Sequence, residues 1–267
     1  MKGLLIYDTE GARRNAWFID RLTESSKALG NELELFIYDG ENMPKVAIDF
    51  AIVRTIAPAL NEYFEKLGTP AFNNYKTSRI ANDKWETYLF AKEHGIPVMD
   101  TVKADSYDEV TKACGSPFVL KAVDGHGGSE VFLVDSVVKY KELLSSLSYE
   151  RVIAQRTCDE VGVDMRVYLL GGKVLAAAKR TSESDFRSNF SLGGKAEIVA
   201  VPDEVEKILS TVYEALECDF VGVDFIRHSG RWILNEIEDA VGTRMLYSLT
   251  ELDAAKLYIE YIFDKLR

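Results

Sequence analysis

Carboxylates cluster in one short segment of the sequence, LNEIEDAVGTR at residues 234–244. Glu236, Glu238 and Asp239 fall within four positions there, and neighbouring carboxylates stay ionised together only at a cost unless a cation lies among them. Mg²⁺ prefers oxygen ligands and binds one or two carboxylates together with substrate phosphates. The segment is therefore consistent with two alternatives, a divalent-metal site or the solvated end of an acidic strand. Because side chains alternate along a strand, Glu236 and Glu238 would share one face, and Asp239 is not expected to be a ligand.

The pairing of two predicted strands decides which carboxylates meet. The segment FVGVDFIRHSGRWILNEIE is typical of a β-hairpin that turns at Ser229-Gly230. A two-residue turn would place Asp224 opposite Asn235, whereas an odd loop would place it opposite Glu236. With the odd loop, three carboxylates share one face of the hairpin and would form a metal site: Asp224, Glu236 and Glu238.

A glycine-rich segment, LKAVDGHGGSEVFLV at residues 120–134, supplies a second candidate site. Its glycines allow backbone N–H groups to approach an anion closely, and Lys121 adds a positive charge suited to phosphate. It is not a Walker A loop, because no Gly-Lys-Ser/Thr occurs and no helix is predicted after it, and an ordinary hairpin turn is the alternative. Together with the acidic segment, this glycine-rich loop favours a combined metal and phosphate site, because Mg²⁺ is usually bound by carboxylates together with substrate phosphates. The loop residues concerned are Gly125, Gly127, Gly128 and Ser129.

A polar segment, KRTSESDFRSNFSLGG at residues 179–194, is a third candidate. Arginine binds carboxylate or phosphate through two N–H groups, and asparagine can contact both a metal ion and a phosphate oxygen. The alternative is a mobile polar loop without a ligand, although loops of this length often carry substrate binding. None of the histidines, His94, His126 and His228, lies in a recognisable pattern for nucleophilic catalysis.

The elements that must position these residues follow an α/β pattern. Three apolar segments near the N-terminus, GLLIYD, LELFIYD and VAIDFAIVRT, predict strands of a small open parallel sheet, with ARRNAWFIDRLTESSKALG as one helix after the first. The capped segment NDKWETYLFAKEHGIP predicts another helix, and the short strands after it predict a small α+β lobe. Two long hairpins with amphipathic helices follow. The predicted units are residues 1–76, 77–156 and 157–267.

Composition and charge exclude several classes of protein. The chain has 267 residues, of which 47% are hydrophobic and 28% are charged, as in a folded domain rather than a disordered one. A net charge of -11 leaves no basic field for nucleic acid or anionic lipid. No apolar run is long enough to cross a membrane, and the cysteines Cys114, Cys158 and Cys218 lack metal-ligand spacing. We therefore expect a cytoplasmic protein without nucleic-acid or membrane partners.

Taken together, these residues resemble the ATP-grasp carboxylate-amine ligases, most closely the RimK-like branch that adds glutamate or other amino acids to a carboxyl end. The resemblance runs from about Asn73 to the C-terminus and is carried by VIAQRTCDEVGVDMRVYLLGGKVLAAAKRTSESDFRSNFSLGG, VGVDFIR and ILNEIEDAVG. It implies an ATP-grasp fold of the α/β class, with an N-terminal three-layer open parallel sheet domain, a small central lobe and a C-terminal lobe.

The same resemblance implies an ATP-dependent ligase that forms an amide or peptide bond through an acyl phosphate, with ATP and Mg²⁺ or Mn²⁺ as cofactors. An amino acid, a peptide or a protein tail would be the substrate, and a homo-oligomer is compatible with the family. Two alternatives are a nucleotide-binding regulatory or scaffold protein of the same shape that has lost ligation, and an ATP-grasp ligase with a non-amine acceptor.

The resemblance also assigns roles to individual residues. The nucleotide-binding residues that it implies are Lys84, Lys121, Gly125, Gly127, Gly128, Ser129, Gln155, Arg156, Thr157, Asp164, Arg187, Ser188 and Asn189. The hinge from Gln155 to Thr157 would hold adenine, and Asp164 would lie near the ribose. The catalytic residues are Arg180 and Arg187, the substrate-binding residues are Arg166 and Arg180, and the metal ligands are Asp224, Glu236 and Glu238. Arg244, just past the last strand, is a further candidate for the acidic end of the substrate.

Four positions depart from the pattern of the family. Arg156 stands where an acidic residue is usual, and Glu238 stands where this branch usually has asparagine. Val241 replaces a common proline, and Glu130 replaces a glycine that often follows the serine of the loop. These departures indicate a divergent subfamily, so the substrate is not inherited from the best-known members.

Overall fold

The computed structural model describes residues 1–125, 130–147, 151–182 and 195–267. Within these residues the chain forms three β-sheets, one in each of the three predicted units, and helices flank them. This mixed architecture agrees with the predicted α/β class. The residue boundaries of the units remain a prediction.

The N-terminal sheet is parallel. Its strands are β1 (Lys2–Asp8), β2 (Glu32–Tyr38), β3 (Phe50–Val53) and β4 (Ala71–Phe72), in the order β2-β1-β3-β4. Its helices are α1 (Thr9–Arg14), α2 (Ala16–Ala28), α3 (Pro58–Lys66) and α4 (Tyr75–Ala81). The three predicted strands are confirmed, but the first helix is divided at Asn15, whose side-chain amide donates to the backbone oxygen of Gly11. Asparagine side chains compete with helical hydrogen bonds in this way.

The central sheet is antiparallel and smaller. Its strands are β5 (Thr101–Lys103), β6 (Phe118–Ala122), β7 (Val131–Val134) and β8 (Val152–Arg156), in the order β5-β8-β6-β7. Its helices are α5 (Lys84–Glu93), α6 (Tyr107–Cys114) and α7 (Val137–Ser146). The predicted start of α5 is confirmed, because the side chain of Asp83 accepts a hydrogen bond from the backbone N–H of Glu86.

The C-terminal sheet contains both predicted hairpins. Its strands are β9 (Val163–Leu170), β10 (Lys173–Thr181), β11 (Lys195–Val199), β12 (Phe220–His228) and β13 (Arg231–Glu238), in the antiparallel order β11-β10-β9-β12-β13. The helices of this part are α8 (Asp203–Leu216), α9 (Arg244–Leu249) and α10 (Ala254–Leu266). In α8, apolar residues at helical spacing face the sheet, as predicted.

The first and last sheets share a hydrophobic core. Large side chains from both sheets and from α10 lie in one buried cluster that includes Phe50, Phe72, Tyr168, Phe220 and Phe263. The central sheet and its helices α6 and α7 have a separate cluster that contains Phe118 and Tyr140. Helix α5 packs through Phe90 against the core on the other face of the C-terminal sheet. The candidate residues of the central sheet and of the C-terminal sheet can therefore meet only at the boundary between the central sheet and the core that the first and last sheets share.

Candidate active site

The hairpin of β12 and β13 places Asp224 opposite Glu236. The turn is not the expected odd loop, because it holds two residues, Ser229 and Gly230, both with positive φ. The register shifts instead at a β-bulge in which Asn235 is the extra residue. The predicted pairing is therefore confirmed, whereas the predicted loop length is wrong.

The bulge has a cause in the packing of β13. Trp232, Leu234 and Ile237 are all buried in the core of the C-terminal sheet. Leu234 and Ile237 are an odd number of positions apart, so regular alternation would place them on opposite faces. The extra residue restores the alternation, and Glu236 and Glu238 consequently lie on the opposite face from this core.

Three carboxylates converge on that face. One oxygen from each of Asp224, Glu236 and Glu238 lies within 4.8 Å of the other two. This donor set suits a hard divalent cation. In the part of the chain that the structure describes, Glu236 makes no hydrogen bond or salt bridge, so its oxygens are available to such an ion.

Two buried arginines contact the same cluster. Arg166 donates through Nε and Nη2 to the two oxygens of Asp224, each at 2.7 Å, and its Nη2 also contacts Glu238. Arg180 donates to Asp164 at 2.5 and 2.8 Å and to Asp224 at 2.8 Å. The resemblance implied that both arginines face phosphate or substrate and that Asp164 lies near a ribose. In this structure these three side chains line one cavity and form a network of ion pairs with Asp224 and Glu238.

The surroundings of the two carboxylates Asp224 and Glu238 shift their pKa values in opposite directions. Burial alone would raise the pKa of Asp224, but the guanidiniums of Arg166 and Arg180 outweigh this effect and lower the pKa to about 2. Burial, together with the nearby Asp224 and Glu236, raises the pKa of Glu238 to about 7 against the attraction of Arg166. Asp224 is therefore ionised at neutral pH, whereas Glu238 takes up a proton more readily.

Two lysines approach the cluster from the central part of the chain. Lys121 on β6 is buried and donates to Oε1 of Gln155 at 2.7 Å and to Oδ1 of Asn235 at 3.2 Å. Burial lowers the pKa of Lys121 to about 8, so the side chain is still mainly an ammonium at neutral pH. Lys84, the first residue of α5, donates to the backbone oxygen of Gly125. Both cations could contact an anionic ligand.

The other hinge residues form hydrogen bonds to α6 and to segments that precede strands of the central sheet. Arg156 donates to Asp100 at 3.0 Å and to the backbone oxygen of Ala113 at 2.9 Å. Thr157 donates to the backbone oxygen of Pro117 at 3.3 Å. The arginine that replaces the usual acidic residue therefore ties the end of β8 to α6 and to the segment before β5.

A cavity of about 620 Å³ joins these groups, and residues of all three predicted units line it. The following site residues that were predicted from the sequence line this cavity: Lys84, Lys121, Gly125, Gln155, Arg156, Asp164, Arg166, Arg180, Glu236, Glu238 and Arg244. Asp224 and Thr157 are not among the lining residues, and Asp224 is covered by its two arginines. Six further predicted residues lie outside the described part of the chain: Gly127, Gly128, Ser129, Arg187, Ser188 and Asn189.

The sequence-based prediction missed the contribution of the N-terminal sheet. Arg14 and Asn15, at the junction of α1 and α2, line the cavity together with Ile56 beyond β3. The strand order changes direction between β1 and β3, and ligands of open α/β sheets bind at the carboxyl ends of strands at such a point. The sequence has no glycine-rich turn after β1 that would have indicated this contribution.

Asp239 also lines the cavity, but its carboxylate is engaged by amides. It accepts hydrogen bonds from Asn73 at 2.8 Å and from Asn82 at 3.1 Å. Asn73 and Asn82 flank α4, so Asp239 fastens this helix to the end of β13.

Comparison with known proteins identifies a matching family model and several relatives of this chain. A family model described as the RimK-like ATP-grasp domain matches residues 81–262. A protein named probable alpha-L-glutamate ligase from Parasynechococcus marenigrum is 29% identical over 231 residues, which are 81% of this chain and 50% of that relative. The chain thus spans half the length of that protein. A relative of the same name from Marinomonas is 25% identical over 91% of this chain and 90% of its own length.

Solved structures agree on the fold. The D-alanine--D-alanine ligase from Bacillus anthracis, complexed with ATP, superimposes with a TM-score of 0.77 at 18% identity, covering 100% of this chain and 97% of that one. None of the helices in the described residues is both long and apolar enough to span a lipid bilayer. The predicted ATP-grasp fold is confirmed, and so, at the level of the family, is an ATP-dependent ligase that forms carbon–nitrogen bonds. The chain belongs to the RimK-like ATP-grasp family.

Proposed function

We propose that this chain activates a substrate carboxylate with ATP and joins it to an amine, through an acyl phosphate that the amine displaces. The observation that carries the proposal is the cluster of three carboxylates, Asp224, Glu236 and Glu238. Two of them, Glu236 and Glu238, line one cavity together with Lys84 and Lys121. Phosphoryl transfer to a carboxylate needs positioning and charge neutralisation rather than a side-chain nucleophile. None was recognised in the sequence.

The carboxylates fit a divalent ion bound together with a nucleotide. Bound Mg²⁺, or Mn²⁺, would neutralise charge on the phosphates and orient them. Glu236 and Glu238 would offer oxygens to that ion at the cavity surface, while Arg166 holds Asp224 and Glu238 at a fixed spacing. Lys121 and Lys84, which line the same cavity, would bind phosphate oxygens.

The substrate end of the cavity is proposed to lie toward the N-terminal sheet. Arg14 and Arg244 line the cavity, and Nη2 of Arg244 lies 3.4 Å from the backbone oxygen of Arg14. Two arginine side chains that line one cavity suit an anionic group of the substrate. The relatives named glutamate ligases support an amino acid, a peptide or a protein tail as the class of substrate.

The experiment that tests the proposal measures ADP release from ATP and Mg²⁺ with a panel of amino acids and short peptides. We expect release that requires both a carboxylate and an amine. Release that no carboxylate stimulates would contradict the ligase function and favour a nucleotide-binding scaffold. Release that needs a hydroxyl or thiol acceptor would contradict amide formation but retain carboxylate activation.

A further inference from the structure

We propose that Asn235 and Gln155 are positioning residues that hold the ammonium of Lys121 with neutral oxygens, so that its charge stays available for a nucleotide phosphate. The inference rests on the proposed function, because it requires that the cavity binds a nucleotide. It gives Gln155 a role other than the adenine contact implied by the family resemblance, and it gives the bulge residue Asn235 a role of its own.

The geometry around Lys121 is that of a buried cation with two fixed acceptors. The residue is 8% exposed, and a buried ammonium must be hydrogen-bonded to be tolerated. An ammonium has three N–H donors. Gln155 and Asn235 accept from Nζ at 2.7 and 3.2 Å, and the described residues offer it no third hydrogen bond, which leaves one N–H for a ligand.

A chain of hydrogen bonds fixes the orientation of Gln155. Its Nε2 donates to the hydroxyl of Thr101 at 3.2 Å, and that hydroxyl donates to the backbone oxygen of Met99 at 2.9 Å. Because the hydroxyl proton is used by Met99, the hydroxyl oxygen is left to accept from the amide. Oε1 of Gln155 must then face Lys121. Thr101 and Gln155 are directly paired across β5 and β8, and both are buried.

The partners of Lys121 differ in charge from those of the arginines in the same cavity. A carboxylate hydrogen-bonded to the ammonium would hold it more strongly but would also neutralise it. Amide oxygens satisfy the N–H donors and leave the net charge in place. Glu236 attracts Lys121 electrostatically but makes no hydrogen bond to it. The next residue along β13, Asn235, makes that contact instead.

The bulge explains why an asparagine can reach across the cavity. At a bulge two successive residues oppose one residue of the partner strand, and Asn235 and Glu236 together oppose Asp224. The strand that carries a predicted metal ligand therefore also holds a phosphate-binding lysine of another sheet. This arrangement fixes the position of Lys121 relative to Glu236, the next residue of β13.

The test uses two isosteric substitutions that add a carboxylate beside Lys121, Asn235→Asp and Gln155→Glu. Binding of ADP is measured by isothermal titration calorimetry and binding of adenosine by ligand-observed NMR, both with EDTA so that no divalent ion contributes. We expect ADP binding to weaken about tenfold or more in each variant and adenosine binding to stay unchanged. Asn42→Asp adds the same charge at an exposed position that does not line the cavity and should change neither.

An added carboxylate could weaken ADP binding in two ways, by neutralising Lys121 or by repelling the phosphates directly. The Lys121→Met background distinguishes these two effects. In that background each substitution should weaken ADP binding less than in the wild type, because the ammonium is gone. An equal effect with and without the lysine would overturn the inference. Wild-type affinity for ADP in both variants, or a parallel loss of adenosine binding, would overturn it as well. A wild-type protein that binds neither ADP nor ATP would overturn the proposed function together with the inference.

Discussion

The C-terminal and central sheets present cations to one cavity with different partners. Arg166 and Arg180 of the C-terminal sheet are hydrogen-bonded to buried carboxylates, whereas Lys121 of the central sheet is hydrogen-bonded to two amide oxygens. A guanidinium paired with a carboxylate contributes geometry more than net charge. Under the proposed function, the C-terminal sheet would position the oxygens that hold a metal ion, and the central sheet would supply positive charge that no hydrogen-bonded carboxylate neutralises.

The largest effect is expected when the partner of both arginines is removed. Asp224→Ala leaves Arg166 and Arg180 without their shared carboxylate, and loss of one member of a buried ion pair costs about 3–5 kcal/mol. Urea unfolding followed by circular dichroism measures this change. Glu236→Ala is the matched control, because Glu236 is paired opposite Asp224 but has no hydrogen bond within the described residues. We expect it to lose no more than about 0.5 kcal/mol. Equal losses in the two variants would contradict the distinct roles of the two carboxylates.

Glu236→Ala should instead act on the reaction. We expect ADP release that depends on both carboxylate and amine to fall at least about a hundredfold, as when a group that neutralises charge in a transition state is lost. The coupled assay for ADP measures the rate, with circular dichroism to verify the fold. Turnover near that of the wild type would exclude Glu236 from a metal site.

Mg²⁺ should stabilise the ADP complex of the wild type through the carboxylate of Glu236. At about 100 times its dissociation constant, a ligand that binds only the folded state adds about 2.7 kcal/mol. We expect Mg²⁺ added to the ADP complex to raise the melting temperature of the wild type and to raise it less in Glu236→Ala. An equal rise in both proteins would place the ion elsewhere.

The smallest effect is expected at the exposed arginine of the central sheet. Arg156 and Asp100 form an ion pair in which the side chains are 40% and 63% exposed, and such pairs contribute at most about 1 kcal/mol. Asp100→Ala should therefore lower the unfolding free energy by less than this amount and leave adenosine binding unchanged. A loss comparable to that of Asp224→Ala would remove the contrast between the arginines of the two sheets.

Elements with a strong period could be predicted from the sequence, and short ones could not. The hairpins and α5 were predicted because alternation and capping are local properties. Strand β4 has two residues and therefore no period. Helix α6 was missed although a signal was present, since Ser106 is followed three residues later by Glu109, whose backbone N–H it caps at 3.2 Å.

The candidate site was predicted in its residue types and in one strand pairing, but not in its contacts. Trp232, Leu234 and Ile237 are all buried in one core, but Leu234 and Ile237 are an odd number of positions apart. Regular alternation would place them on opposite faces of the sheet, so their spacing indicates a bulge. The contact of Lys121 with Asn235 joins strands of two different sheets, and no local pattern encodes the docking of one sheet on another. The same limit applies to Arg14, because its place at the cavity depends on the strand order of the N-terminal sheet.

The shared core of the first and last sheets has a consequence for the order in which the chain can fold. Phe50 of β3 packs edge-on against Phe263 of α10, with ring centroids 5.5 Å apart, and Arg21 of α2 pairs with Asp253 just before α10. During synthesis, domains generally fold from the N-terminus as they leave the ribosome. Here one face of the earliest sheet cannot be packed until α10 is available, whereas the central sheet can complete its own core before that.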